Sequence, residues 1–449
     1  MIENNMDYEE EYGNEVEDTK ALAKAASAAS GSGSFLIDQF RSMLSKSKDI
    51  RQSQEAKCDV GYPTGSINFD FRNGSVIYVN NAEKGMNFKY YSLGISDGSL
   101  TTIIGRSGCG KTTWALQSAA NIVRNFPNSY IIHEDIEGGI TETRKQQLTG
   151  FYGEEFKRKY IARNTGITNE NFYQRMRMLY DLKMLNYKDY EYDTGLYDTS
   201  GNRIFKLQPT VVLLDSIALL MPEKYVDEEE MSGQMAATAT AKANNALFKR
   251  LIPMLKSANI IFFAINHVRK KVELNPFAKT KAQVAYLKPD EYMPGGDMPG
   301  YLANVLLRFD DSKLNSEKTY GIDGSLVDIH LLKSRNSKAG QYCTMVFNQE
   351  EGFDNDLSTF ILLKDNDKIK GAGAYQYVEG HPEYKFTQKK FKPMLQENEE
   401  FRAIVAQCAF EVLSANLEAD HKHRERSSLD SGIGGDIYNR VIQMSAQAS

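Results

Sequence analysis

Eight residues, Gly105-Arg106-Ser107-Gly108-Cys109-Gly110-Lys111-Thr112, restrict what this chain can become more than any other stretch. They spell G-x-x-x-x-G-K-T, a pattern that has meaning only between a strand and a helix. Both flanks comply. Residues 99–104 are short, apolar and β-branched, and Trp114, Ala115, Ser118, Ala119, Ile122 and Val123 share one helical face. The glycines let successive backbone N–H groups curl toward phosphate oxygens, and the helix adds its positive N-terminal end. Lys111 then acts as a point charge toward the β and γ phosphates, and Thr112 offers a hydroxyl to Mg2+. The stretch from Gly105 to Thr113 therefore predicts an ATP or GTP site.

Bulk properties narrow the class further. The 449 residues have room for one large α/β domain with appendages, or for two to three domains. A net charge of −5 excludes a basic nucleic-acid coat, so any DNA contact has to come from a local basic surface. The four cysteines (Cys58, Cys109, Cys343, Cys408) are scattered without a C-x-x-C pair. That argues against zinc and against a disulfide framework, and suits a reducing compartment. No apolar run approaches the roughly 18 residues a membrane span needs, and the N-terminus lacks a signal-peptide pattern. An intracellular, soluble protein with no membrane partner is expected.

Residues 1–34 open acidic and pass into Ala/Ser/Gly-rich sequence, the composition of a disordered solvated head. Over 35–60, Phe35, Leu36, Phe40, Met43 and Leu44 repeat at helical spacing before a polar linker. Such an amphipathic helix packs on its own domain or docks on a neighbour. A core over 61–355 follows. Tyr62-Pro63-Thr64-Gly65 reads as a turn, and strand-like segments around Ile67-Asn68-Phe69 and 76–79 lead to the phosphate loop. Apolar runs with polar C-terminal ends recur at 129–137, 210–216 and 259–267, with further strands at 305–309, 326–332 and 342–347. Helices are expected over 170–185 and 236–256, and the tyrosine-rich residues 186–206 read as an inserted hairpin. A small C-terminal region, 356–420, carries a helix near 399–417 and gives way to a polar tail, 421–449. Strands alternating with helices indicate an α/β fold with a mainly parallel wound sheet, which binds ligands at the carboxyl ends of its strands.

Several side chains at those ends can carry chemistry. Asp215 closes an apolar strand, where its carboxylate would hold Mg2+ through water. His133, Asp135 and Glu137 alternate and so share one strand face. They read as a metal triad, as a setting in which Glu137 polarises an attacking water, or as a solvated strand end; the second reading is preferred. His267 sits where a strand meets a long loop, placed to touch a γ-phosphate and pass its presence on. That loop carries Arg269, Lys270, Lys271, Lys279 and Lys281 against one acid, Glu273, and is the natural place for phosphate-backbone contacts. The acidic run Asp227-Glu228-Glu229-Glu230 would repel DNA. Lys333 and Arg335, two apart at a strand end, are placed to reach a neighbouring subunit's γ-phosphate, which predicts ATP at an interface.

Taken together, these pieces resemble the RecA family of recombinases, and most closely its UvsX-type members from tailed phages. The matching text is Gly105 to Thr113, Asp135-Ile136-Glu137 with Gly139-Ile140-Thr141, and Leu213-Leu214-Asp215-Ser216. It continues through Leu247-Phe248-Lys249-Arg250, Ala264-Ile265-Asn266-His267 and Lys333-Ser334-Arg335 to Phe391-Lys392-Pro393-Met394-Leu395. The likeness spans about residues 60–415. It implies a RecA-like P-loop ATPase core with a short N-terminal docking helix and a small C-terminal region. It also implies a DNA-dependent ATPase whose helical homo-oligomer coats single-stranded DNA and pairs it with homologous duplex DNA, with ATP between subunits.

The resemblance places Glu137 at the family's water-activating glutamate, His267 at its γ-phosphate switch, and Lys333 with Arg335 at its trans cations. DNA-binding loops would lie near 222–238 and 268–298, a single-strand-binding protein and a loader are implied as partners, and the compartment would be the cytoplasm of a phage-infected bacterium. Where relatives often carry an aromatic against adenine this chain has Arg144, whose planar guanidinium can stack instead, and Thr240 stands where they carry Arg. The rival readings are a ring-shaped RecA-fold helicase or motor, and an ATP-binding scaffold without pairing activity.

Overall fold

The computed structural model describes residues 60–225, 233–270, 287–312, 318, 320–322, 324–371 and 374–421. The acidic head, the helix from Phe35 with its linker, the run Asp227 to Glu230, Lys271, Lys279 and Lys281, and the tail beyond 421 lie outside the described residues.

In chain order the main elements begin with α1 (Ile67–Arg72), the hairpin β1 (Ser75–Asn81) and β2 (Met86–Ser92), β3 (Leu100–Gly105), α2 (Lys111–Arg124) and β4 (Ile131–Asp135). Next come α3 (Glu142–Thr149), α4 (Gly153–Lys159), β5 (Tyr160–Arg163), α5 (Asn169–Leu185), and the hairpin β6 (Glu191–Tyr197) and β7 (Arg203–Leu207). The core continues with β8 (Thr210–Asp215), α6 (Gly233–Ala258), β9 (Ile260–His267), β10 (Val305–Asp311), β11 (Ser325–Ser334), β12 (Gln341–Asn348) and β13 (Gly352–Asp354). Three helices follow: α7 (Asn355–Asp365), α8 (Phe391–Glu397) and α9 (Glu399–Asp420).

Nine strands form one sheet in the order β13-β12-β11-β10-β3-β9-β8-β4-β5. From β10 to β5 every pairing is parallel, and from β10 to β13 every pairing is antiparallel. The α/β class and the mainly parallel wound sheet agree with the RecA-like core expected. Why the central strands read as unbroken apolar runs is now plain. Helices cover both faces, so β3, β8 and nearly all of β9 are buried with no alternation. Each buried Leu, Ile or Phe contributes about 1.5–3 kcal/mol from removal of apolar surface from water. One face packs on α2 through Trp114, Ala115, Ala119 and Val123, and the other on α5 and α6 through Phe172, Met176, Phe248 and Leu251. A third cluster, around Phe360, Phe386, Phe391 and Phe401, holds α7, α8 and α9 against the β12 side.

One expected strand is a helix. Residues around Ile67-Asn68-Phe69 form α1, because Asp70 reaches back to accept from the Thr64 backbone N–H (2.9 Å) and hydroxyl (2.7 Å). That local closure turns Phe69 edge-on to Trp114, with ring centroids 5.0 Å apart, and no alternating pattern survives. The insertion at 186–206 is the expected hairpin. It is pinned to the β1–β2 hairpin by Asn81 and Lys84, which donate to Ser200, Gly201 and Asn202, and by Tyr90, which donates to Tyr197. Among the described residues, no helix is long and apolar enough to cross a membrane.

Candidate nucleotide site and its neighbours

The phosphate loop is built as the spacing requires, between β3 and α2. Its backbone takes left-handed conformations at Gly108 and Gly110, both with φ of 81°. At Gly110 a Cβ would also meet the Phe353 ring at 2.9 Å, so any other residue would be strained in its backbone and would displace that ring. Lys111 is almost fully buried, and its ammonium donates to the Arg106 carbonyl at 2.5 Å, across the mouth of the loop. Thr112 donates its hydroxyl to Asp215 Oδ2 at 2.6 Å, which joins the loop to the end of β8.

Acids crowd this corner. Asp215 and Asp135 are register partners at the adjacent ends of β8 and β4, and Glu137 follows two residues on. Burial pushes the Asp215 carboxyl up to about 6, and the charges of Glu137 and Asp135 add to the rise against the Thr112 hydroxyl and Lys111. A half-buried hydroxyl and a buried carboxylate, with the Glu137 carboxylate close by, make an all-oxygen donor set. It fits a hard divalent cation such as Mg2+, held by Thr112 and Asp215, which would neutralise phosphate charge when bound.

Glu137 Oε1 accepts from Ser216 Oγ at 2.8 Å and lies 2.7 Å from His267 Nε2. Burial raises the Glu137 carboxyl, but the hydrogen bonds from His267 and Ser216, with the charge of Lys111, hold it below its ordinary value. It is therefore ionised at neutral pH and able to polarise a water. His133 and Asp135 do not join it in a triad. His133 is buried against the Tyr160 hydroxyl at 2.5 Å, and Asp135 pairs with Lys145 at 2.8 Å.

His267 ends β9 in register with Gly105 of the phosphate loop. Two residues later Arg269 and Lys270, both exposed, pair with Tyr292 and Glu291 in a short antiparallel ladder. This ladder is the foot of the basic loop. Lys270 also approaches Asp290 at 3.4 Å. The far end of the loop is tied down by asparagines: Asn266 donates to the Pro294 carbonyl (2.9 Å) and Asn244 to the Gly295 carbonyl (2.9 Å).

Arg144 does not lie free. Its guanidinium donates to the carbonyls of Gln349 (2.5 Å) and Glu350 in the turn between β12 and β13. Lys333 and Arg335 lie far from the phosphate loop. β11 runs antiparallel to β10, and Ser334 pairs with Val305, which pairs with Thr101 at the start of β3. The two cations thus sit level with the start of β3, at the opposite end of the strands from Gly105. Lys333 donates to the Tyr301 carbonyl at 2.6 Å, and burial, with Arg335 nearby, lowers its affinity for a proton.

Two arrangements went unread in the sequence. Ser216 was visible after Asp215, but nothing in its spacing assigns it to Glu137. Arg308 was a stronger signal, a charge inside the apolar run of β10. It is buried and forks onto Glu291 (2.7 and 2.8 Å) and Asp310 (2.7 Å), locking the foot of the basic loop to the strand beside the phosphate loop. The hydrogen bonds from Arg308 hold the Glu291 carboxyl down at about 2, against its burial. A depressed carboxyl contributes fully above its unfolded value of about 4.3 and ceases to contribute as pH falls through about 2. Arg308→Met should cost about 3–5 kcal/mol by leaving the buried Glu291 and the half-buried Asp310 without their cation. Urea unfolding measured between pH 7 and pH 3 should show that loss shrinking as the acids protonate.

No protein-family model matches the sequence. No curated protein matches it. Among solved structures, the chain is similar to one titled "Crystal structure of the RadB recombinase", at 20% identity over 58% of this chain and 92% of that one, with a TM-score of 0.34. A superposition that loose assigns no residue and carries no activity across.

Proposed function

We propose that the protein is an ATP-dependent DNA recombinase of the RecA type, resembling the UvsX-type phage enzymes. It would assemble as a helical filament on single-stranded DNA and pair that strand with homologous duplex. One observation carries the reading: Glu137, beside the phosphate loop, meets His267, and His267 leads within two residues into the foot of the basic loop. A γ-phosphate that drew His267 away would alter the loop bearing Arg269 and Lys270. Hydrolysis would then release what binding had ordered.

Roles follow for the residues present. Gly105 to Thr113 would wrap the triphosphate, and Lys111 would exchange the Arg106 carbonyl for phosphate oxygens. Thr112 and Asp215 would hold Mg2+, whose charge offsets that of the phosphates. Glu137 would orient and polarise the attacking water, with Ser216 fixing its rotamer. Arg144, held by the 349–350 turn, would flank the base. Lys271, Lys279 and Lys281 would add to the DNA surface.

Self-assembly has its own support. β5 is the last strand of the sheet among the described residues, and its Ile161 is exposed. On α5, Met178, Leu182 and Leu185 are exposed at i, i+4 and i+7, on the flank marked by Arg175, which pairs with Glu134 of the neighbouring strand. An open strand edge beside an apolar stripe suits a segment from a second copy, and the amphipathic sequence from Phe35 has matching character. Ile161→Asp with Leu182→Asp should leave the circular dichroism spectrum unchanged and lower ATP-dependent assembly at least tenfold by light scattering. Unaltered assembly would remove this surface from the interface.

Mixing the protein and ATP with circular single strands and homologous linear duplex tests the whole reading. Joint molecules are expected. Unwinding of a forked duplex without joint molecules would indicate a motor, and neither product would indicate a scaffold.

A further inference from the structure

The Asp135–Lys145 pair lies beside the site without a role in the scheme above. Asp135 is buried at the end of β4, and Lys145 is buried on the inner face of α3. Their contact is 2.8 Å between Lys145 Nζ and Asp135 Oδ2. The other oxygen, Oδ1, accepts the backbone N–H of Gly138 at 2.9 Å. On the near side of the same turn, the N–H groups of Ile136 and Glu137 donate to the Asp215 carbonyl at 2.7 and 3.3 Å. Glu137 is thus gripped from both directions, by β8 before it and by the Asp135 carboxylate after it.

We propose that Lys145 is a positioning residue for ATP hydrolysis: it fixes the Asp135 carboxylate on Gly138 and so aims the Glu137 side chain, and it keeps Asp135 from serving as an extra metal ligand. This rests on the ATPase reading of the site. Without Lys145, the Asp135 charge would stand beside Asp215 with only the Gly138 N–H and no paired cation in a water-poor corner. The carboxylate would then turn toward whatever cation is nearest. With Lys145 in place, Asp135 has one oxygen on the ammonium and one on the turn. The helix that carries Lys145 is itself held, since Thr141 caps its N-terminus by accepting from the Arg144 N–H, and Arg144 reaches the 349–350 turn. Lys145 thereby ties the turn bearing Glu137 to an element that flanks the far side of the site.

The test compares wild type, Lys145→Met, and Lys145→Met with Asp135→Asn. Asparagine keeps Oδ1 as an acceptor for Gly138 but removes the charge that needs Lys145. In nucleotide-free protein, hydrogen exchange of the peptide covering 136–140 should speed up severalfold in Lys145→Met and return to the wild-type rate in the double variant. With ATP, kcat should fall at least tenfold in Lys145→Met while KM stays within threefold, and the double variant should recover most of the loss. Unchanged exchange and kcat in a folded Lys145→Met would overturn the proposal. So would a loss that Asp135→Asn does not rescue, because Lys145 would then act by another route. If wild type hydrolyses no ATP, the ATPase reading falls, and the exchange arm still judges the Asp135–Lys145 coupling by itself.

Discussion

Glu137→Gln should bind ATP and single-stranded DNA as wild type does while turnover falls roughly a hundred- to ten-thousandfold, the usual worth of a positioned general base. The substitution keeps an oxygen for Ser216 to donate to, so the local fold is retained. It removes the negative charge that polarises water. It also neutralises one of the acids that push Asp215 up. The Mg2+ dependence of binding should therefore shift slightly while hydrolysis collapses. Rapid-quench measurement of phosphate release, beside equilibrium binding of a fluorescent ATP analogue, separates the two effects. Turnover at the wild-type rate would show that another group activates the water.

Replacing Lys333 and Arg335 together by Ala should remove DNA-stimulated hydrolysis, by roughly a thousandfold or more if they act as arginine fingers do. Nucleotide binding by the isolated subunit should be spared. The register explains why. Ser334 is level with Thr101, and Gly105 lies four residue steps further along β3, on the order of 13 Å. No rotamer of either side chain closes that gap around its own sheet, so a role in catalysis requires a second copy. Mixing the double variant with Glu137→Gln gives an independent check. Each lacks what the other supplies, so mixed assemblies should recover part of the activity at shared interfaces. Loss of ATP binding by the variant subunit alone would place both residues at their own site.

How much of this could be read in advance follows from the range of the interactions. The phosphate loop, β8 ending in Asp215 and β9 ending in His267 were legible because each is a short apolar run closed by one polar group, and parallel topology brings such ends together. The hairpin at 186–206 was legible from its turn residues. α1 was not, because its helical state depends on one carboxylate turning back to Thr64, a contact with no periodic trace. The role of Ser216, the Arg308 fork and the Asp135–Lys145 pair were hidden for a related reason. Each joins groups that only the folded register makes neighbours. His133, Asp135 and Glu137 show the limit of a spacing argument. They alternate as a shared face would, yet Glu137 lies beyond the end of β4, and each finds a different partner: Tyr160, Lys145, and Ser216 with His267.

Sedimentation velocity of the purified protein, with a slowly hydrolysed ATP analogue and a single-stranded oligonucleotide both at saturation, bears most directly on the reading of nucleotide as the link between subunits. Fast-sedimenting arrays that need both ligands, and that Lys333→Ala/Arg335→Ala weakens, are the predicted result. A single slow boundary at the mass of one chain under the same conditions would contradict it.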